Sequence, residues 1–188
     1  MPSHSQPTRD ERLVIGMTGR IGAGKTSAGL YLSSGRGFQY LRYSQVLSEW
    51  KGLETKAHLQ EIGWEVMRGG MQGELNRRLI AQIRPDGEVA VDGLRHPLDY
   101  ERLRDSFASS FYLLFIDSSQ GQRWGRKKVK DKYRTLASFK AADSHPVEQH
   151  IESLRGKATL VVENKGSLQD LYRALDEAMR SFGMEVRV

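Results

Sequence analysis

The chain has no cysteine, which excludes disulfides, thiolate nucleophiles and Cys-based zinc sites together. No apolar run comes near 18 residues, so nothing reads as a membrane-spanning helix. The opening MPSHSQPTRDER holds no hydrophobic segment; it reads as a short disordered lead-in over 1–12 rather than a signal peptide. The histidines, His96 and His145 among them, fall at no metal-ligand spacing, and there is no G-x-S-x-G elbow. A cytoplasmic protein fits these absences.

What is present suits one compact α/β domain. The 188 residues are 38% hydrophobic and 28% charged, enough apolar content for a real core in a chain of this length. The net charge of +6 favours anionic partners such as nucleotides, nucleic acid or acidic surfaces. A solvated basic face is the plain alternative.

Five β-rich runs are predicted, at 13–17, 38–43, 88–91, 111–117 and 159–163. The first and fourth are almost wholly apolar, as central parallel strands buried on both faces should be. Helical patterns lie between them. One spans 25–34, before Gly35 and Gly37. Leu59, Ile62 and Val66 recur at helical spacing until Gly69-Gly70, and Leu75, Leu79 and Ile83 resume the period. Others follow Pro97, start near Pro146, and follow the capping-box pair Ser167 and Asp170. Alternating strands and helices predict a parallel sheet with helices on both faces. The stretch 120–145 is the least regular, and a long connection of that kind is often a lid or binding loop.

The deciding motif is Gly19-Arg20-Ile21-Gly22-Ala23-Gly24-Lys25-Thr26, a full match to G-x-x-x-x-G-K-[ST]. From average residue usage, chance yields such a match in about 1 in 200 chains of this length. An apolar strand before it and a helix after it, as here, make chance less able to explain it. Glycines let successive N–H groups turn inward on phosphate oxygens, and the positive end of the following helix adds to them. Lys25 can reach β- and γ-phosphates, and the Thr26 hydroxyl can ligate Mg²⁺. Ser27 closes the loop's binding residues.

A P-loop does not by itself separate kinase from GTPase, motor or regulator. Asp92, in Val91-Asp92-Gly93-Leu94-Arg95, stands at a strand's carboxyl end, where a doubly wound sheet faces its ligand. It could hold metal-bound water or accept a proton from an attacking oxygen; a turn Asp before Gly is the plain alternative. Arg95 and Arg68 are candidate clamps for an acceptor phosphate. The segment 123–134 carries seven basic residues against one acidic. Three readings are open for it: a cationic lid over a transferring phosphoryl, a nucleic-acid groove in which Trp124 and Tyr133 stack on bases, or a solvated face.

With these stretches in hand, the chain resembles the P-loop nucleotide kinases of the adenylate-kinase type from Leu13 to about Met179. Within them it is most similar to phage-type deoxynucleoside monophosphate kinases and dephospho-coenzyme A kinases. The carriers are the P-loop, 41–47 with Ser44 opening a helix, 59–68 ending on Arg68, 91–95, and Val162 to Leu168 with Asn164. The resemblance implies a three-layer P-loop fold with five parallel strands in the order 2-3-1-4-5. It also implies an acceptor-binding region around 44–84 that includes Ser44, Arg68 and Arg95, and a lid around 120–145 with Arg123 and Arg126 as its arginines. Asn164 would lie beside the adenine. ATP and Mg²⁺ are the implied cofactors, and a nucleotide is the implied acceptor. Dephospho-coenzyme A and a hydroxymethylated base in DNA are alternatives. A regulatory module that hydrolyses ATP slowly is the reading from another class. The lid is richer in lysine than the family pattern, and 91–95 lacks the proline that precedes arginine in adenylate kinases.

Overall fold

The computed structural model describes residues 12–53, 58–129, 133 and 135–184. The lead-in, apart from Arg12, and part of the basic segment lie outside the described residues. In chain order the elements are β1 (Val14–Thr18), α1 (Lys25–Arg36), β2 (Gln39–Arg42), α2 (Tyr43–Lys51), α3 (Leu59–Arg68), α4 (Gln72–Ala81), β3 (Val89–Leu94), α5 (Pro97–Phe107), β4 (Phe111–Asp117), α6 (Gln120–Val129), α7 (Leu136–Asp143), α8 (Ile151–Arg155), β5 (Leu160–Glu163) and α9 (Leu168–Ser181). Single 3₁₀ turns at Ala108–Ser110 and Pro146–Glu148 complete the set.

The strands form one all-parallel sheet in the order β2-β3-β1-β4-β5, as the resemblance implied. β1 is buried at every residue because neighbours cover both its faces. Side chains alternate along it. Ile15 and Met17 join Leu32, Leu114, Ile116 and Leu175 under α1 and α9. Val14 joins Val91, Leu113, Leu79, Leu103 and Leu154 on the opposite face. Two cores, one per face, make three layers.

The helix breaks fall where the turn chemistry puts them. Gly37 at φ 77° ends α1; its N–H donates to the Ser33 carbonyl and the Phe38 N–H to that of Leu32. His96 and Asp99 cap α5 reciprocally behind Pro97, and Ser167 and Asp170 do the same for α9. Two expectations change. The stretch 120–145 is not a plain loop: it contains α6 and α7, the latter opened by a capping box between Thr135 and Ser138. Phe139 anchors it, fully buried, with the Trp124 and Tyr133 rings each 5.7 Å from its own. The helix expected from Pro146 is split into a 3₁₀ turn and the short α8, because His145 Nδ1 accepts from Val147 N–H and closes a separate turn. Among the described residues no helix is long and apolar enough to cross a membrane.

Candidate functional site

β1 is the central strand, with chain crossing away from it on both sides, so its carboxyl end opens the crevice where doubly wound sheets bind ligands. The P-loop leaves β1 at that end. Gly24 stands at φ 115°, and a Cβ there would run into the Asn164 side-chain amide, so the backbone turn and the close approach both require glycine. No side chain caps the N-terminus of α1, and its first turn carries no acidic residue. The positive end of its dipole therefore lies at the crevice, beside the Asp92 carboxylate.

Lys25 folds back over the loop. Its ammonium donates to the carbonyls of Gly19 at 2.6 Å and Arg20 at 3.1 Å. Burial pushes its pKa below the ordinary lysine value, against the opposing charge of Asp92. Thr26 Oγ1 lies 3.3 Å from Asp92 Oδ2. A hydroxyl and a carboxylate so placed are hard oxygen donors, the set that suits Mg²⁺ bound together with phosphates.

Asp92 sits within β3, 6% exposed, rather than just past it. The β1–β3 register shifts there: Met17 pairs with Asp92 and Thr18 with Leu94, skipping Gly93 at φ 95°. Tyr40, from β2, donates its phenol to Asp92 Oδ2 at 2.8 Å. Burial, and then the carboxylate's charge, raise the phenol's pKa above its ordinary value, so it stays a donor. The ring reaches this position by lying against Gly29 of α1, where a Cβ would overlap it.

The crevice has a volume of about 560 Å³. Ile21, Gly22, Gly24, Lys25, Thr26 and Ser27 line it from the P-loop, and Ser44, Asp92 and Arg95 line it as well. Arg95 is held by Glu148, Nε to Oε1 at 3.1 Å, and that carboxylate is fully buried. Gln60 adds contacts to Glu148 at 3.4 Å and to the Ala142 carbonyl at 3.1 Å, tying α3 to the 142–148 segment.

Not every expected residue lies in the crevice. Arg68 is exposed at the end of α3 and is not part of the crevice wall. Arg123 is 4% exposed and makes a two-pronged pair with Asp143, at 2.5 and 2.9 Å. It also donates to the Ile21 and Ser118 carbonyls at 3.0 and 3.1 Å, so it braces the P-loop from behind. Asn164 does likewise: its Nδ2 donates to the Ala23 carbonyl at 2.7 Å. Arg126 does line the crevice. It bonds the Asn164 carbonyl at 2.8 Å and Ser118 Oγ at 2.9 Å, and burial lowers its pKa. Arg20 points outward to Glu152 at 2.9 Å.

Sequence reasoning missed Tyr40, Arg42, Glu148 and Lys127. Arg42 ends β2 at the crevice, and Lys127 and Tyr133 line it from the α6 side. A strand-end cation one residue before the helix at Tyr43 was a usable signal for Arg42. Nothing local could have found Glu148, which matters only through the residue it meets.

No family model matches the chain. An UPF0200/UPF0201 protein of Archaeoglobus fulgidus is 25% identical over 73% of this chain. The chain spans less than half of that relative's length, 45%. Several solved structures share the fold across nearly the whole chain. TT1252 from Thermus thermophilus superposes with a TM-score of 0.60 at 22% identity, covering 92% of this chain and 98% of that one. Shikimate kinase from Acinetobacter baumannii, solved with shikimate, gives 0.58 at 20%, covering 94% and 98%. A gluconokinase from Sinorhizobium meliloti gives 0.57 at 15%, covering 91% and 95%. The fold is that of the P-loop kinases. At these identities the likeness reaches the fold and stops there.

Proposed function

We propose that the protein is an ATP- and Mg²⁺-dependent phosphotransferase whose acceptor is a nucleotide, foremost a (deoxy)nucleoside monophosphate. One observation carries this reading. The uncapped P-loop helix and the Asp92–Arg95 strand end line a single crevice, with Asp92 beside Thr26, so a phosphate donor and an anionic acceptor can be held in one space. Kinases of this fold among the structural neighbours support transfer over slow hydrolysis.

The chemistry is positioning and electrostatics more than covalent work. ATP with Mg²⁺ supplies the transferable phosphoryl group and part of the charge neutralisation. Lys25 leaves the Gly19 and Arg20 carbonyls and neutralises β- and γ-phosphate charge. Thr26 would ligate Mg²⁺, and Asp92 would help to hold it or take the acceptor's proton. Tyr40 keeps the Asp92 carboxylate aimed. Arg95, fixed by Glu148, and Arg42 hold the acceptor's charge, with Ser44 at the entrance to the 44–84 region. Arg126 and Lys127 cover the P-loop side as part of a lid over 120–145. Arg123 and Asn164 support the loop from behind.

The second reading keeps the reaction and changes the acceptor to a small carboxylated polyol, on the strength of the shikimate kinase and gluconokinase neighbours. The experiment is MgATP with a panel of nucleoside monophosphates, dephospho-coenzyme A, shikimate, gluconate and hydroxymethylated DNA, scored by product mass. Acceptor-dependent ADP with a phosphorylated nucleotide supports the first reading. Phosphate release to water with every compound refutes transfer.

A further inference from the structure

A second, smaller cavity of about 30 Å³ opens off the acceptor side of the crevice. It shares Ser44, Leu59, Gly93 and Arg95 with the crevice, so it continues the same space. Leu47, Met67, Leu75 and Val147 give it apolar walls. Gln72, Asp99 and Tyr43 are its buried polar residues.

Gln72 is 4% exposed, and its Oε1 is buried with no hydrogen-bond partner. Among the described residues the other buried side-chain atoms without one belong to Arg78, Arg95 and Glu148, each engaged in an ion pair. Gln72 has no such pair. A buried amide oxygen left without a donor is costly and calls for an explanation.

The orientation of that amide is settled by its neighbours. Gln72 Nε2 donates to Asp99 Oδ1 at 2.6 Å, and Asn76 Nδ2 donates to the same oxygen at 2.8 Å. The backbone N–H groups of Arg95 and His96 donate to Asp99 Oδ2 at 3.0 and 2.9 Å. An ionised carboxylate only accepts, so a flipped amide would set oxygen against oxygen. Asn76 is fixed in turn, because Tyr43 donates to its Oδ1 at 2.5 Å. The network turns the Gln72 nitrogen onto Asp99 and leaves its Oε1 without a donor.

We propose that Gln72 Oε1 is the recognition point for the buried edge of the acceptor, which must present an N–H donor there, from an exocyclic amino group or a ring imide of a nucleobase. This rests on the nucleotide-acceptor reading. The cavity is the size of one such group, and Asp99 links it to the phosphate end, since the carboxylate that orients Gln72 also binds the Arg95 backbone. The base edge and the acceptor phosphate are thereby read by Gln72 of α4 and Arg95, which Asp99 at the start of α5 ties together.

The test is calorimetric binding of deoxynucleoside 5′-monophosphates beside analogues without the donor. The pairs are adenine against purine, cytosine against pyrimidin-2-one, and thymine against N3-methylthymine. A site built to satisfy a polar group rejects an analogue that leaves it unpaired. The nucleotide that binds should lose about 10- to 100-fold in affinity without its donor, and in Gln72→Met the two members should agree within about threefold. A merely structural role for Gln72 would weaken both members alike and keep their ratio. Equal binding of each pair by the native protein overturns the inference even if Gln72→Met does not fold, as does failure of every nucleotide to bind. Transfer is scored separately. Gln72-dependent discrimination without ADP formation removes the kinase reading and keeps this site; transfer without discrimination does the reverse.

Discussion

Tyr40→Phe is the most direct probe of how Asp92 is held. The substitution deletes one oxygen, the phenol that donates to Asp92 Oδ2 at 2.8 Å. A hydrogen bond to a charged group contributes about 1.5–3 kcal/mol. At about 1.4 kcal/mol per tenfold in rate, losing the full bond in the transition state would lower kcat by about tenfold to a hundredfold. The Thr26 hydroxyl, 3.3 Å from the same oxygen, keeps the loss toward the lower end. The KM for ATP should stay within about threefold, because Tyr40 is not among the crevice-lining residues. The raised phenol pKa adds a sign: Tyr40 stays protonated as pH climbs toward 10, so native and Tyr40→Phe profiles should share their alkaline limb. Gly29→Ala supplies the control. Alanine gains about 1 kcal/mol of helix propensity over glycine, yet a Cβ at 29 would overlap the Tyr40 ring and displace it. Gly29→Ala should therefore lower kcat in the native background and do little more in Tyr40→Phe. Steady-state kinetics with a double-mutant cycle is the assay. Unchanged kcat in Tyr40→Phe, or full additivity of the two changes, would refute the claim that Tyr40 aims Asp92.

Lys25→Ala should abolish transfer while circular dichroism and the melting temperature stay near native; retained turnover would sink the P-loop assignment. Glu148→Gln should raise the acceptor KM about tenfold with a smaller change in kcat, because Arg95 loses the buried carboxylate that fixes it; an unchanged acceptor KM argues against that role. Arg123→Ala should cost about 3–5 kcal/mol in a urea melt, since it strands Asp143 in the interior. Burial would raise the Asp143 carboxyl, but the bonds from Arg123 and Gln120 outweigh it and hold the pKa below the ordinary value. A depressed carboxyl stabilises above its unfolded pKa of about 3.9 and loses that contribution as pH falls through the folded value. Acid unfolding should accordingly be steeper in the native protein than in Asp143→Asn, and identical acid limbs would dismiss the pair as a stabilising element.

The sheet was readable because its signals are local and redundant. Two apolar runs marked β1 and β4, glycines and capping pairs marked the helix ends, and the P-loop tied strand to helix. The site was readable where a motif or a strand end places a residue at the crevice, as with Lys25, Thr26 and Asp92. Arg123 was expected as a lid arginine and Asn164 beside the adenine, and the sequence carries no sign that Asp143 and the Ala23 carbonyl occupy them. Arg68 follows the helical period to the end of α3, yet the period does not say that this side chain is exposed and left out of the crevice wall. The 120–145 stretch looked irregular because α6 is polar along most of its length. Its order comes from Phe139, Trp124 and the Arg123–Asp143 pair, which are tertiary.

That same pairing bears on the basic charge of the chain. A nucleic-acid groove needs cations that are exposed and uncommitted. On α6, Arg123 is buried against Asp143, Arg126 is turned onto Asn164 and Ser118, Lys127 lines the crevice, and Lys128 alone is exposed. Elsewhere Arg20, Arg36, Arg95 and Arg155 are engaged by Glu152, Asp176, Glu148 and Asp117. Among the described residues, Lys25, Arg42, Arg95, Arg126 and Lys127 line one crevice. A set this compact matches the phosphates of two small ligands better than the length of a duplex. If that is right, duplex DNA should bind weakly with a shallow salt dependence, while ATP should compete for whatever binding occurs. A steep fall in DNA affinity with salt that ATP does not disturb would require a separate basic surface and would return the DNA-base acceptor to the front.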